Sequence, residues 1–120
     1  MEARRDLREG CVFTIDGIGA RDLDDALSAK RNDDGAYGIG AHIADASHFI
    51  KLNAPLDRGA CKRVASTYLM RRTAPMLPPN LRTEVCSLDP CKGRLTFSAV
   101  FTMAGGAHVS KKWFGHAIIK

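Results

Sequence analysis

No stretch of this chain approaches the ~20 consecutive apolar residues that a membrane helix needs. Its N-terminus, MEARRDLREG, has no apolar segment of the kind that marks a secretory signal. None of the four cysteines forms a C-x-x-C pair, so no zinc site is visible. There is also no internal repeat, linker or low-complexity segment, which leaves no basis for a solenoid or a disordered tail. What remains is a 120-residue chain, 45% hydrophobic and 26% charged, which reads as one globular domain with no membrane partner. It ends directly after the apolar AII, inside a strand-like pattern, and is therefore read as a fragment of a longer domain.

The charge is unevenly placed. The net charge is +5, yet residues 16–25 carry −3, so the remainder carries +8. Between Arg58 and Arg94, eight basic residues face two acids. Such a background suits a polyanion such as RNA, and equally an ordinary solvated surface. Cys11 and Cys61 sit within apolar patterns and are predicted to be buried. With no secretory signal in view, reduced thiols in a cytosolic or nuclear setting are expected.

Periodicity gives the elements. CVFTID alternates, with Cys11, Phe13 and Ile15 on one face and Asp16 at the strand's end. ALSAK and AYGIGAHIAD read as a hairpin around Asp34-Gly35, with Ile39, Ala41 and Ile43 on one face. Asn53 as N-cap and Pro55 in the first turn start a helix, along which Leu56, Ala60, Val64 and Tyr68 form a stripe. APMLPP runs extended, and NLRTEVCSL forms a short helix. RLTFSAVFTM is the clearest strand; AGGA turns the chain, and HVSKKWFGHAII returns antiparallel. The order β-β-β-α-α-β-β predicts an α+β fold: a mixed, mostly antiparallel sheet with one main and one short helix.

The stretch TIDGIGARDLDDAL holds Asp16, Asp22, Asp24 and Asp25. Neither a strand nor a helix makes all four converge; an irregular loop does. Carboxylates gathered this way repel one another unless some are protonated or a cation lies between them. A hard divalent ion with oxygen ligands is the natural occupant, and magnesium would leave positions open for water and phosphate. Two such ions can clamp a phosphodiester during cleavage. The alternative is a solvated turn in which Asp22 caps a short helix. The spacing does not fit a calcium EF-hand loop.

Other polar residues have two readings each. His42 meets substrate or hydrogen-bonds within the fold, and the second is the expectation. Asp45 orders the neighbouring loop rather than binding metal. Arg58, Lys62 and Arg63 share one helix and either touch phosphates or stay solvated, with solvation expected. Periodicity alone makes Tyr68 a core residue.

TIDGIGARDLDDAL, GAHIADASHFI, LDRGACKRVASTYL, PMLPPNL, CSLDP and RLTFS occur in order and together resemble the RNB catalytic domain of the ribonuclease II/ribonuclease R family. The wording is nearest to the eukaryotic Dis-type exonucleases, in the cytoplasmic branch that degrades uridylated RNA. On that resemblance residues 1–10 are a lead-in and residues 11–120 the N-terminal portion of an incomplete RNB domain. The resemblance implies a processive, magnesium-dependent 3′→5′ exoribonuclease that hydrolyses single-stranded RNA to nucleoside 5′-monophosphates. It implies that Asp16, Asp22 and Asp25 hold magnesium directly or through water. It implies that Asp24 is the carboxylate most needed for cleavage, and that Tyr68 stacks on a nucleotide at the RNA 3′ end. The rest of the RNB domain and OB-type RNA-binding domains are the expected partners within an intact protein, and the cytoplasm the expected compartment. The isolated chain is expected to be inactive, and the rival reading is a non-catalytic RNB fragment that binds RNA or metal weakly.

Overall fold

In a computed structural model of the chain, which describes residues 3–105 and 108–120, four long strands form the frame. β3 follows in chain order two short strands, β1 (Arg5–Asp6) and β2 (Val12–Phe13), and spans Asp25–Arg31. It turns at residues 32–36 into β4 (Tyr37–Ala44). The turn is closed by Asn32 N–H donating to the Ala36 carbonyl at 2.8 Å and by Ala36 N–H donating to Asp34 Oδ1 at 3.0 Å. Gly35 sits there at φ +80°, a conformation that glycine takes without steric cost. The hairpin predicted around Asp34-Gly35 is therefore present.

Beyond β4 a 3₁₀ turn (Ala46–His48) leads to helix α1 (Pro55–Arg63), a two-stranded ribbon of β5 (Thr67–Leu69) and β6 (Arg72–Ala74), and a π-helical segment (Asn80–Cys86). The chain then returns to the sheet in β7 (Arg94–Ala104) and β8 (His108–Ile119). The turn expected at AGGA falls partly on Gly106 and Ala107, outside the described residues.

The main sheet has the order β1-β8-β7-β4-β3-β2. Among the described residues only β1 runs parallel to its neighbour, pairing Arg5 with Ala117 and Asp6 with Ile118. The fold is thus α+β with a mostly antiparallel sheet, as the pattern predicted. Residues 5 and 6, from the stretch read as a lead-in, form one edge of that sheet.

Register sorts the side chains. His42 lies opposite Ser98 in β7 and Ala26 in β3, and Thr96 opposite Ala44 and Ala117. This polar face is the buried one: His42, Thr96 and Ser98 are fully covered. His42 spans it, with Nδ1 2.8 Å from Ser98 Oγ and Nε2 2.9 Å from Ser28 Oγ. Both ring nitrogens are satisfied, as a buried polar group requires, and burial pushes the imidazole pKa down. Gly40 makes the room: a methyl there would lie 2.7 Å from His42 Nε2 and would run into Ser28 Oγ. The other face, with Leu27, Ile39, Ile43, Phe97 and Phe114, remains exposed over much of its area.

Four local expectations are corrected. α1 stops at Arg63 because Val64 takes φ 67°, so the stripe predicted to run on to Tyr68 is cut short. Tyr68 lies instead on β5 and is 66% exposed. Ala54, not Asn53, is the N-cap; Asp57 Oδ2 accepts the Asn53 N–H at 2.8 Å and serves the first turn from inside the helix. The strand predicted over CVFTID is reduced to the two residues of β2, with Val12 half-buried and Phe13 exposed. Cys11, just before β2, and Cys61, on α1, are exposed, as is Cys91; Cys86 is the buried one of the four.

Candidate functional site

The aspartate loop is tied down by segments distant in sequence. After β2 it turns at Gly17–Ala20, where Ala20 N–H donates to the Gly17 carbonyl at 3.1 Å and Gly19 takes φ +89°. Leu23 is then clamped on both sides. Its N–H donates to Ser87 Oγ at 3.2 Å, and its carbonyl accepts the Leu88 N–H at 2.9 Å. Its side chain packs on the small core formed by Ala26, Leu88 and Ile119. One residue on, the Asp24 carbonyl accepts the Ala44 N–H at 2.9 Å. Asp25 opens β3 opposite Ile43. The backbone between Asp22 and Asp25 is thus fixed at three successive residues.

Ser87 is itself held. It is fully buried and donates to Asp89 Oδ1 at 2.9 Å. Asp89 Oδ2 in turn takes Lys92 Nζ at 2.9 Å and Arg94 Nη2 at 3.0 Å. Hydrogen bonds from Lys92 and Ser87 hold the Asp89 carboxyl below the usual carboxylate range. The CSLDP segment is therefore a brace for the loop.

Asp24 feels the charge of the other three aspartates. The Asp24 carboxyl is pushed up, first by the protein atoms that withdraw water from it and then by the negative charge of Asp22. Arg82 opposes this, while Asp25 and Asp16 add to it. A hard, oxygen-seeking dication suits such a donor set. A closed cage is not assembled, however: among the described residues no three acidic, histidine or cysteine side chains come together closely enough to hold an ion.

Asp22 has partners of its own. Arg82 Nη1 donates to Asp22 Oδ2 at 2.6 Å, and the Tyr68 hydroxyl donates to the same oxygen at 2.9 Å. The bond to Asp22 raises the Tyr68 pKa. The structure thus brings Tyr68 to the loop, although not from a helix. Arg82 was not singled out from sequence, and no local signal marks it; its pairing with Asp22 spans 60 positions. Ser87 lay within a recognised motif but carried no assigned role.

The remaining candidates are structural. Asp45 is buried and gathers Ser47 Oγ at 2.7 Å, Arg4 Nη2 at 2.8 Å and His116 Nδ1 at 2.9 Å, and it caps the 3₁₀ turn through the His48 N–H at 3.2 Å. Burial alone would raise its pKa, but these donors outweigh it and hold the carboxyl at about 2. Arg58 Nη1 donates to the Asn53 carbonyl at 2.7 Å and Arg63 Nε to the Met76 carbonyl at 2.8 Å, while Lys62 is exposed. A cavity of about 890 Å³ lies between the 3₁₀ turn and α1, but its lining, with Ile50, Leu52 and Met76, includes none of the loop aspartates.

The chain is similar in sequence and fold to known proteins. The family model described as RNB domain matches residues 4–120. DIS3-like exonuclease 2 of Schizosaccharomyces pombe is 45% identical over 121 residues, covering 100% of this chain and 13% of that protein. A protein of Arabidopsis thaliana named inactive exonuclease DIS3L2 is 43% identical over 120 residues, covering 100% of this chain and 11% of its own length. Mycoplasma genitalium RNase R, solved in complex with ribose-methylated single-stranded RNA, superposes with a TM-score of 0.91 at 28% identity. That match covers 99% of this chain and 18% of the solved chain. The chain therefore spans less than a fifth of each of these proteins.

Proposed function

We propose, from the premise that this chain belongs to the RNB domain family, that it supplies the aspartate loop of a magnesium-dependent 3′→5′ exoribonuclease. The substrate is the 3′ end of single-stranded RNA, and the products are nucleoside 5′-monophosphates. The observation that carries this reading is a loop that holds Asp22, Asp24 and Asp25 on a backbone braced by Ser87, Leu88 and Ala44, with the negative charges of Asp22, Asp25 and Asp16 acting on Asp24.

Asp16, Asp22 and Asp25 are the residues that would hold magnesium, which would supply charge neutralisation at the scissile phosphate and leaving oxygen. Asp24 orients the attacking water; burial and the negative charge of Asp22 push its carboxyl up. Tyr68 presents an exposed ring for stacking on a base, a contact tolerant of sequence. The rest of the RNB domain and OB-type domains complete the RNA channel in an intact protein. The four unpaired thiols support the cytoplasm as its compartment.

A second reading is a non-catalytic RNB chain that binds RNA or metal weakly. It is favoured by the absence of a three-carboxylate cluster among the described residues. An assay with a 3′-labelled oligoribonucleotide, with and without magnesium, separates the two in a protein carrying the whole RNB domain. Mononucleotide release that requires magnesium is the expected result. Retained RNA binding with no release under any condition would favour the second reading. The isolated chain is expected to release nothing.

A further inference from the structure

We propose that Arg82 is the resident counter-cation of Asp22 and that, together with the Tyr68 hydroxyl, it competes with a divalent ion for the aspartate loop. This rests on the metal reading above. The geometry is specific. Arg82 Nη1 lies 2.6 Å from Asp22 Oδ2, and the two side chains are only 19% and 17% exposed. The Tyr68 hydroxyl donates to that same oxygen at 2.9 Å. One carboxylate oxygen thus receives two donors, which use its lone pairs. An ion that takes this oxygen must displace at least one of them.

Arg82 is placed for this by an unusual element. It lies on the π-helical segment, where the N–H groups of Leu81 and Arg82 both donate to the Pro78 carbonyl, at 3.1 and 3.2 Å. Short π-helical stretches recur at functional sites. Its Nε is buried without a hydrogen-bond partner, so the guanidinium is not fully satisfied where it rests. A guanidinium released from Asp22 keeps its charge and its fork of donors, which match a phosphate. Displacement therefore frees at least one of the two donors, and a freed guanidinium is shaped for phosphate beside the exposed Tyr68 ring. Cation binding and RNA binding then support each other, and by linkage the support is mutual.

The test is calorimetric titration of Mg²⁺ or Mn²⁺ alone, without RNA, into the protein and three variants. Arg82→Gln removes the competing charge and is expected to bind the ion about fivefold more tightly, the scale of a lost partly exposed ion pair. Tyr68→Phe removes a neutral competitor and one surface hydroxyl; it is expected to gain less, and its gain is not a charge effect. Arg82→Lys keeps the charge and should bind close to the parent value. If the parent binds the ion and neither Arg82→Gln nor Tyr68→Phe tightens it, the competition is refuted while the metal reading stands. If the parent and all variants fail to bind either ion, both fall together. Binding by Arg82→Gln where the parent shows none would support the proposal most strongly.

Discussion

The N–H of Leu23 donates to the buried hydroxyl of Ser87 at 3.2 Å, joining the aspartate loop to a segment 64 residues further on. This contact fixes the residue between Asp22 and Asp24, so the candidate site depends on a side chain with no chemistry of its own to perform. Replacing Ser87 with alanine leaves a backbone donor without an acceptor. The expected cost is about 1–3 kcal/mol of stability, measured by urea denaturation, with faster amide hydrogen exchange at Leu23 than elsewhere in the sheet.

Gly40→Ala should destabilise the sheet by about 1–3 kcal/mol, as an overpacked core position does. The added methyl meets Ser28 Oγ and His42 Nε2. In a Ser28→Ala background part of that cost should vanish, because one of the two obstacles is gone and the His42 ring remains. Denaturation of the two single variants and the double variant measures the coupling. Additive costs would rule out the crowding assigned to Gly40.

Asp45 gives stability a dependence on acid. Its folded pKa, about 2, lies below the ordinary 3.8. A carboxyl depressed on folding stabilises above its unfolded pKa, and that contribution is lost as pH falls through the folded pKa. Asp45→Asn should therefore lower stability by a constant amount near neutrality, with the gap to the parent closing between about pH 4 and pH 2. Denaturation midpoints across that range check the sign; a gap that widened in acid would contradict it.

Asp24→Asn, made in a protein carrying the whole RNB domain, should leave RNA affinity largely intact and abolish cleavage. Binding is read by fluorescence anisotropy and cleavage by mononucleotide release. Full turnover by this variant would remove the role given to Asp24.

Tyr68 separates stacking from hydrogen bonding. In the same protein Tyr68→Ala should weaken binding of an RNA 3′ end by about 1–3 kcal/mol, whereas Tyr68→Phe, which keeps the ring, should bind RNA at least as well as the parent. Equal losses in both variants would mean that the hydroxyl, not the ring face, matters.

Much of this was legible in the chain itself. Alternation in β4 and β7 and the Asp34-Gly35 turn are local effects, set by pleat geometry and backbone sterics, and they made the mostly antiparallel sheet legible in advance. The order of the motifs identified the aspartate loop, because four like charges so close together need a shared reason. Tertiary contacts decided the rest. Tyr68 left its helical stripe when Val64 broke α1, and it reached Asp22 across 46 positions. Arg82 and Ser87 meet the loop only because the chain folds back over the sheet, which no spacing along the sequence encodes. Side-chain pairings between distant segments depend on where packed elements bring their backbones, and periodicity carries no record of that.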